Sequence, residues 1–244
     1  MNIKGKKVFV SGGTEGIGAA IVRQLLNRGA VVVTCARNEP AAPMDAGVFF
    51  KRCDLTVAQD RDVLVSWIRA EHSDLAVLIN NAALQNLVDF PKTGFEEIQE
   101  KTRQELALNL EAPIMLSAAL LPVLASQPAA AIVNVTTGLA LAPKKSSPVY
   151  CATKAALRSF TRSLRYQVEE SMPHIRVQEV LPPLVETRMT SGRGSGKMSP
   201  EAVATALLSA IEREVDECYV GKSKLLKVVM RVAPGVAYRI LKGW

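Results

Sequence analysis

The sequence is poor in the residues that build disulfide frameworks and zinc centres. It has four cysteines and two histidines in 244 residues. The cysteines show no C-x-x-C spacing, and their density is far below that of small secreted disulfide scaffolds. His72 and His174 lie far apart without nearby cysteines, so a zinc site would need carboxylates for almost all of its ligands. We therefore expect reduced thiols and no metal ion.

The sequence also lacks a signal segment and an uninterrupted apolar run of membrane-spanning length. The residues from Lys4 to Val10 form a basic and then β-branched segment, without the apolar region and small-residue cleavage site of a signal peptide. The longest apolar stretch, Leu106 to Ala125, contains Asn109, Glu111, Pro113 and Pro122. This pattern favours a buried helix over a membrane span. We expect a cytoplasmic protein.

Composition and charge narrow the class of protein further. The chain is 48% apolar and 22% charged, which is typical of a soluble globular protein, and its length suits one large domain. The net charge of +7 is compatible with nucleic acid, an anionic membrane or a phosphorylated cofactor. The sequence has neither a basic recognition helix nor aromatic residues interleaved with a basic stripe, so we expect no nucleic-acid partner.

Strand-like and helix-like segments alternate along the chain. The strand-like runs are Lys7–Ser11, Val31–Ala36, Val48–Cys53, Ala76–Asn80, Ala131–Thr136 and Arg176–Leu181. The helix-like segments are Gly16–Arg28, Ala58–Ala70, Glu105–Ala125, Tyr150–Ser171 and Pro200–Glu214. The runs are nearly continuous in Val, Ile and Ala, which predicts an α/β fold whose doubly wound parallel sheet has helices on both faces. A ligand is then expected at the carboxyl ends of the strands.

A glycine-rich turn follows the first predicted strand and opens the first predicted helix. Its glycines are Gly12, Gly16 and Gly18. Backbone amides of such a turn and the N-terminus of the helix can receive a pyrophosphate, and the absence of side chains permits close approach. The alternative is an ordinary glycine-rich turn, but the strand before it and the helix after it favour nucleotide binding.

Tyr150 and Lys154 are four residues apart in the fourth predicted helix, so their side chains lie on one face. A nearby ammonium favours phenolate and lowers a tyrosine pKa that is otherwise about 10. Such a tyrosine can exchange protons near neutral pH. Most Tyr/Lys pairs at this spacing are surface packing, so the pair indicates a function only in combination with the glycine turn.

Together these motifs resemble the short-chain dehydrogenase/reductase family, and within it the DltE-type branch, from Lys4 to about Thr187. The turn resembles the family's T-G-x-x-x-G-x-G, with Ser11 in place of threonine. Asn80–Ala83 resembles N-N-A-G, and Pro182–Thr187 resembles P-G-x-V-x-T. The resemblance implies a single-domain Rossmann fold and an oxidoreductase that uses a nicotinamide cofactor and a carbonyl or alcohol substrate.

The resemblance also implies four catalytic residues. Tyr150 would be the general acid/base, and Lys154 would lower its pKa and hold the nicotinamide ribose. Thr137, thirteen residues before Tyr150, matches a serine that orients the substrate carbonyl; the neighbouring Thr136 could be mistaken for it. Asn109 matches an asparagine that holds a water in the proton relay, and its alternative is an amide satisfied inside a helix.

The choice of cofactor depends on the end of the second strand, where NAD-dependent members of the family carry an acidic residue. Here that position is Ala36, and Arg37 follows it. A guanidinium can pair with the 2′-phosphate of NADP(H), although Glu15 would repel that phosphate and Arg37 could be an ordinary surface arginine. Asp54 would contact the adenine ring, or would cap the next helix.

The full set of cofactor contacts that the resemblance implies is Gly12, Thr14, Glu15, Gly16, Ile17, Gly18, Arg37, Asp54, Leu55, Asn81, Ala82, Ala83, Tyr150, Lys154, Pro182, Val185 and Thr187. We therefore expect an NADPH-dependent carbonyl reductase that forms a dimer or tetramer through its long helices. Thr137, Ala83 and Pro183 depart from the family pattern. They leave open an NADP(H)-binding regulatory or scaffold protein with weakened catalysis.

The C-terminal part of the chain is predicted to differ from the rest. We assign residues 1–221 to the catalytic domain, with a Gly- and Ser-rich substrate lid at 188–200, and residues 222–244 to a basic amphipathic extension. On a helical wheel its basic residues lie opposite its apolar ones, and Pro234–Gly235 should kink or divide it. The extension either packs onto the protein or a second subunit, or contacts a membrane and brings the enzyme to lipophilic substrates.

Overall fold

The computed structural model describes residues 1–40 and 42–243, which contain seven β-strands and eight α-helices. The strands are β1 Lys7–Ser11, β2 Val31–Ala36, β3 Val48–Arg52, β4 Leu75–Asn80, β5 Ala130–Val135, β6 Ile175–Leu181 and β7 Glu217–Tyr219. The helices are α1 Gly16–Asn27, α2 Ala58–Glu71, α3 Phe95–Leu106, α4 Ala112–Ala125, α5 Pro148–Ser171, α6 Pro200–Glu212, α7 Lys222–Val232 and α8 Pro234–Lys242.

The seven strands form one parallel sheet in the order β3-β2-β1-β4-β5-β6-β7. Strands β4 and β5 are buried at every position, as expected for strands covered on both faces. The strand order reverses between β1 and β4, and ligands of open α/β sheets bind at such a switch point, outside the carboxyl ends of the strands. This topology confirms the predicted doubly wound Rossmann fold.

Apolar side chains leave the sheet alternately toward two separate cores. In β1, Val8 and Val10 join a core with Ile21 of α1 and Leu207 of α6, whereas Phe9 joins the opposite core. The second core also contains side chains of α2 and α4, namely Leu64, Ile68, Leu116, Leu120 and Leu124. Helices therefore cover both faces of the sheet, as the continuous apolar strands indicate.

Two elements were missed by the sequence analysis, and both have weak hydrophobic signals. Strand β7 has only three residues and lies at the sheet edge. Helix α3 is strongly charged, with a single buried residue, Glu105, and the predicted helix began only there. A π-helical turn, Ala107–Glu111, joins α3 to α4. Turns of this kind are rare and are frequent at functional sites.

The segment Phe95–Ala125 is, among the described residues, the one helix long and apolar enough to cross a membrane by length and composition. Its most apolar window has a mean hydropathy of 1.6 and is 33% buried. Leu116, Leu120 and Leu124 are fully buried in the second core. The prediction of a buried helix therefore holds for one face of this segment. Apolar residues on that face pack into the second core.

The C-terminal extension forms two helices, α7 and α8, which meet at Ala233. Pro234 opens α8 at its first position, where the missing amide costs no helical hydrogen bond. The prediction that Pro234–Gly235 divides the extension is confirmed.

Replacing Leu64 by Ala should lower the free energy of unfolding by about 2–5 kcal/mol, because the side chain is fully buried in the second core and its removal leaves a cavity. Its neighbour Val63 on α2 is 47% exposed and provides the control. Val63→Ala should change the free energy of unfolding by no more than about 0.5 kcal/mol. Urea denaturation monitored by circular dichroism measures both; equal effects would contradict the assigned core.

Candidate active site

The glycine turn between β1 and α1 leaves no room for side chains. Gly12 has a φ of +69°, and a Cβ there would lie 3.2 Å from the Cα of Ala82. A Cβ on Gly18 would lie 2.0 Å from the carbonyl oxygen of Gly12, a distance that no backbone can accept. Both positions therefore require glycine. At these positions the turn presents backbone alone near the N-terminus of α1, which suits a pyrophosphate.

Hydrogen bonds fasten this turn to the end of β4. The Ser11 hydroxyl accepts hydrogen bonds from the backbone amides of Asn81 (2.9 Å) and Ala82 (3.0 Å). The side-chain amide of Asn81 donates to the carbonyl oxygens of Ser11 (3.0 Å) and Gly12 (3.4 Å). The Asn80–Ala83 segment and the glycine turn are therefore parts of one site, although they are about seventy residues apart in the sequence.

A cavity of about 1250 Å³ opens at the carboxyl ends of the strands. The residues predicted to bind the cofactor all line it, namely Gly12, Thr14, Glu15, Gly16, Ile17, Gly18, Arg37, Asp54, Leu55, Asn81, Ala82, Ala83, Tyr150, Lys154, Pro182, Val185 and Thr187. Thr137 lines it as well. The structure thus brings together segments from six loops, while their individual roles stay predictions.

Tyr150 and Lys154 lie in the first two turns of α5 and are 8% and 2% exposed. The Lys154 ammonium donates a hydrogen bond to the carbonyl oxygen of Val135 at 2.9 Å. Burial lowers the pKa of Lys154 to about 8, so the side chain is still mostly protonated at neutral pH. It places a buried positive charge one helical turn from the phenol.

The pKa of Tyr150 is raised, mainly by burial and further by the charges of Cys151 and Glu105. A hydrogen bond with Thr137 acts in the opposite direction. This differs from the expectation of a lowered pKa, because burial of the phenol outweighs the favourable contacts. The neutral phenol, which can donate a proton, is thus the favoured form in the protein alone.

The structure distinguishes the two neighbouring threonines after β5. The Thr136 hydroxyl donates to the buried carboxylate of Glu179 at 2.5 Å. The Thr137 side chain instead hydrogen-bonds Tyr150, and its hydroxyl accepts from the amide of Leu139 at 3.3 Å. Both threonines line the cavity, but the hydroxyl of Thr136 is engaged by Glu179; the role of Thr137 toward a substrate stays a prediction.

Asn109 lies in the π-helical turn, is fully buried and is not among the residues that line the cavity. Its side-chain oxygen accepts from the amide of Leu84 (2.8 Å), and its nitrogen donates to the carbonyl of Leu84 (2.8 Å) and to the hydroxyl of Thr153 (3.2 Å). These bonds fasten the loop after β4 to α5. The geometry makes Asn109 a positioning residue; its role in a proton relay stays a prediction.

At the other end of the cavity, Arg37 follows β2 and is exposed. Its carbonyl oxygen accepts a hydrogen bond from Arg52 Nε at 3.2 Å, which adds a second cation beside it. Glu15, which was expected to repel a phosphate, forms an ion pair with Arg188 at 3.0 Å. The carboxylate charge is therefore partly offset.

One interpretation of the sequence expected Asp54 to cap the following helix, but Asp54 does not do so. Its carboxylate accepts from the amide (2.9 Å) and hydroxyl (2.8 Å) of Thr56, which forms a local turn. Helix α2 begins later, at Ala58, with Val57 as its N-cap. Asp54 stays at the cavity wall, where an adenosine would lie.

The donor set fits a nicotinamide dinucleotide. Backbone amides of the glycine turn would hold the pyrophosphate, and Lys154 the nicotinamide ribose. Within residues 1–40 and 42–243, no three His, Cys, Asp or Glu side chains form a group that could hold a metal ion.

Several cavity residues were missed by the sequence analysis. Gln85, Lys144 and Arg193 follow β4, β5 and β6, and α7 and α8 contribute Leu226, Val229, Ala237, Ile240 and Leu241. None belongs to a motif. Arg193 lies in the segment 188–200 that was predicted to be a substrate lid, although it was not named as a site residue, and only their position after predicted strands could have drawn attention to Gln85 and Lys144. The apolar side chains of the extension were assigned to packing or membrane contact, but not to the site.

Comparisons with known proteins agree with this geometry. Residues 6–197 match the short chain dehydrogenase family. The chain is 41% identical over 191 residues to the oxidoreductase DltE of Bacillus subtilis, covering 77% of this chain and 74% of that protein. A short chain dehydrogenase from Burkholderia cenocepacia, solved in complex with NADP, superposes with a TM-score of 0.88 at 27% identity and covers 99% of both chains.

A second solved structure, a short chain dehydrogenase/reductase from Burkholderia phymatum in complex with NAD, shares the fold with a TM-score of 0.85 at 18% identity, covering 96% of this chain and 95% of that one. One conclusion follows from the glycine turn, the Tyr150/Lys154 pair and the match over most of the sequence. The chain belongs to the short-chain dehydrogenase/reductase family of oxidoreductases, and to its DltE-like branch.

Proposed function

We propose that the protein is an NADPH-dependent oxidoreductase that interconverts a carbonyl compound and its alcohol, with Tyr150 as general acid/base. The observation that carries the proposal is the shared cavity. Tyr150, Thr137 and Lys154 line the same space as the glycine cradle and Arg37. A proton donor, a hydroxyl for the carbonyl oxygen and a dinucleotide cradle thus meet in one site.

NADPH, when bound, supplies the hydride that reduces the carbonyl carbon. The chain's own residues manage the oxygen and its proton. The Thr137 hydroxyl orients the carbonyl oxygen, and the Tyr150 phenol donates its proton to that oxygen. The Lys154 ammonium, held by the carbonyl oxygen of Val135, stabilises the phenolate that remains. Asn109 acts indirectly, by fixing the loop after β4 against α5.

The burial of Tyr150 is compatible with this role. A raised pKa keeps the phenol protonated before reaction, and Lys154 supplies the positive charge that offsets the cost of a buried phenolate. In alcohol oxidation the same groups act in reverse.

NADPH is favoured over NADH by the charges near β2. Ala36 ends the strand where an acidic residue would accept ribose hydroxyls, and Arg37 and Arg52 are both exposed beside it. The pairing of Glu15 with Arg188 reduces the repulsion expected from that carboxylate. The relative from Burkholderia cenocepacia was solved with NADP, which supports the same choice.

Replacing Tyr150 by Phe should lower kcat by about 10²–10⁴-fold, because the proton donor is lost, while the dissociation constant for NADPH changes little. Tyr166→Phe is the control, since Tyr166 lies on the same helix but is 60% exposed. Absorbance at the nicotinamide band measures turnover, and calorimetry measures NADPH binding. Undiminished turnover in the Tyr150 variant would refute its assignment.

Replacing Arg37 by Ala should weaken NADPH binding by about tenfold or more, the loss expected for a charge-assisted hydrogen bond. The affinity for NADH should change by less than about twofold. Arg103→Ala, an exposed arginine of α3 outside the cavity, is the control. Calorimetric titration measures the affinity for each cofactor. An equal loss of affinity for NADPH and NADH would show that Arg37 does not recognise the phosphate.

The alternative, an NADP(H)-binding regulatory or scaffold protein, rests on the departures at Thr137, Ala83 and Pro183, which all line the cavity. It predicts cofactor binding without turnover on any carbonyl compound.

Members of the family commonly form oligomers, so we propose a homodimer or homotetramer. Exposed apolar residues of the long helices, such as Leu106, Met115 and Tyr166, would be covered in it. The cytoplasmic location stays a prediction.

The C-terminal extension uses its apolar residues in two ways. Val229 and Leu241 line the cavity, so part of the extension packs on the protein's own body. Val228 and Val232 are 56% and 73% exposed, beside the exposed Lys227. We propose that this outer surface of α7 contacts anionic membranes, as basic amphipathic helices do.

Replacing both Val228 and Val232 by Glu should reduce co-sedimentation with phosphatidylglycerol vesicles at least severalfold, since it removes apolar area and adds repulsion. The control replaces two similarly exposed valines elsewhere, Val57 and Val63 (45% and 47% exposed), by Glu. Equal sedimentation of both double variants would exclude α7 as the contact. Neither pair lines the cavity, so cofactor binding checks the fold.

A further inference from the structure

Charged side chains are unevenly distributed along the cavity. Its acidic residues, Glu15, Glu39 and Asp54, follow β1, β2 and β3, where the adenosine part of a dinucleotide would lie. The loops after β5 and β6 contribute Lys144 and Arg193. Among the described residues, no acidic side chain lines the half of the cavity beyond the switch point. That half is the one that contains Tyr150, and a positive potential there favours a negatively charged ligand.

Lys144 and Arg193 lack carboxylate partners, whereas Arg188, which follows β6 as well, pairs with Glu15, and Lys222 of α7 is an exposed lining residue. Arg193 Nη1 donates to the side-chain oxygen of Gln85 at 2.9 Å, which joins the loop after β6 to the loop after β4 and leaves the guanidinium charge unneutralised. The described residues place no hydrogen-bond acceptor or carboxylate in contact with Lys144 Nζ. Two other enclosed arginines are satisfied differently: Arg158 pairs with the carboxylate of Glu179, and Arg165 donates to the backbone carbonyl oxygens of Val177 and Asp216.

Lys144 and Arg193 also act on each other. The pKa of Lys144 is lowered, first by burial and second by the positive charge of Arg193. Two enclosed like charges repel, and an anion between them would relieve the repulsion. Glu105 is a buried acid whose charge acts on Tyr150 and Cys151, but its carboxylate accepts from the amide of Asn86 at 2.5 Å and does not line the cavity. It therefore does not occupy the position of a partner.

This half of the cavity also has an apolar wall, beside polar lining residues such as Gln85, Thr190, Ser195 and Ser223. Leu184 follows β6, and α7 and α8 contribute Leu226, Val229 and Leu241. Leu226 closes against the loop after β5, where a Cβ on Gly138 would lie 3.1 Å from its methyl group. A ligand that satisfies this wall needs an apolar body, and one that satisfies Lys144 and Arg193 needs a negative charge.

We propose that the substrate is a carbonyl compound with an apolar body and an anionic group, a carboxylate or a phosphate, and that Lys144 and Arg193 bind the anionic group. The proposal rests on the proposed reductase function, since it assigns a substrate class to that reaction. The anion takes no part in the redox step. The carbonyl carbon accepts the hydride of NADPH and the oxygen accepts the proton of Tyr150, which yields a hydroxy compound and NADP⁺.

The first test compares matched charged and neutral substrates. Octanoates with an oxo group at carbon 2, 4 or 7 are assayed with NADPH beside the corresponding amides. For at least one oxo position, kcat/KM should be at least about tenfold higher for the acid, because two charge-assisted contacts are lost in the amide. In the double variant Lys144→Met/Arg193→Met this ratio should fall to near one.

Lys145→Met is the matched control, because Lys145 is the exposed neighbour of Lys144 and does not line the cavity; it should keep the wild-type ratio. Reduction of amides as fast as acids at every oxo position would overturn the anionic substrate class while the reductase function stands. An unchanged acid preference in the double variant would overturn the assignment to Lys144 and Arg193.

The second test measures the anion site without turnover. Octanoate and octyl phosphate should raise the thermal unfolding midpoint of the wild type and of Lys145→Met in a concentration-dependent manner, whereas octanamide should not. The effect should be lost in Lys144→Met/Arg193→Met, or in the single variants if the double variant does not fold. A larger shift with octyl phosphate than with octanoate would identify phosphate as the preferred group, and the reverse would identify carboxylate.

These two tests separate the two proposals. Absence of turnover on every oxo compound, combined with octanoate or octyl phosphate binding that depends on Lys144 and Arg193, would refute the reductase function and retain the anion site. Equal stabilisation by octanamide, or stabilisation that survives both substitutions, would refute the anion site whatever the turnover.

Discussion

The hydrogen bonds between the ends of β1 and β4 determine the rest of the site. Strand order reverses between these two strands, so they are neighbours in the sheet while their loops diverge. The Ser11 hydroxyl and the Asn81 side chain join the two loops through four hydrogen bonds. The two loops pack so closely that a Cβ at Gly12 would meet Ala82. The shape of the glycine turn therefore depends on its contact with the loop after β4. The dinucleotide half and the substrate half of the cavity meet at this junction.

A second set of buried polar contacts positions the helix that bears Tyr150. Asn80 of β4 donates to Asn134 of β5 at 2.8 Å, and Asn134 donates to Thr161 of α5 at 2.9 Å. Nearer the phenol, Asn109 donates to Thr153 of the same helix. Buried networks of this kind favour a single arrangement, since a displacement would break these hydrogen bonds where water cannot replace them; among the described residues only the side-chain oxygen of Asn80 has no partner in this network. Tyr150 and Lys154 therefore have fixed places relative to the strand ends.

The C-terminal extension and the loop after β6 complete the cavity. Arg188 and Arg193 of that loop contact Glu15 and Gln85 on opposite sides of the switch point, while α7 and α8 supply apolar wall. In the proposed function, the loop and the extension would contact the substrate, and the glycine turn with β2 and β3 would contact the cofactor. Such a division lets segments outside the fold's motifs set the substrate of a common fold.

The sequence by itself determined the sheet, its covered faces and the order of the motifs. Continuous Val, Ile and Ala runs are typical of strands that are buried on both sides, and the spacing of Gly12, Gly16 and Gly18 after the first strand predicts the turn without any tertiary information. The sequence did not predict the short edge strand β7 or the charged helix α3. Their stability comes from contacts with neighbouring elements and not from a hydrophobic pattern.

Only the tertiary structure decided the properties that depend on distant residues. It raised the pKa of Tyr150 by burial where spacing alone predicted a lower value, and it engaged Asn109 with Leu84 and Thr153. It also brought Lys144 and Arg193, about fifty residues apart in the chain, to the same wall. Desolvation and long-range charge depend on three-dimensional packing, and no local pattern in the sequence encodes them.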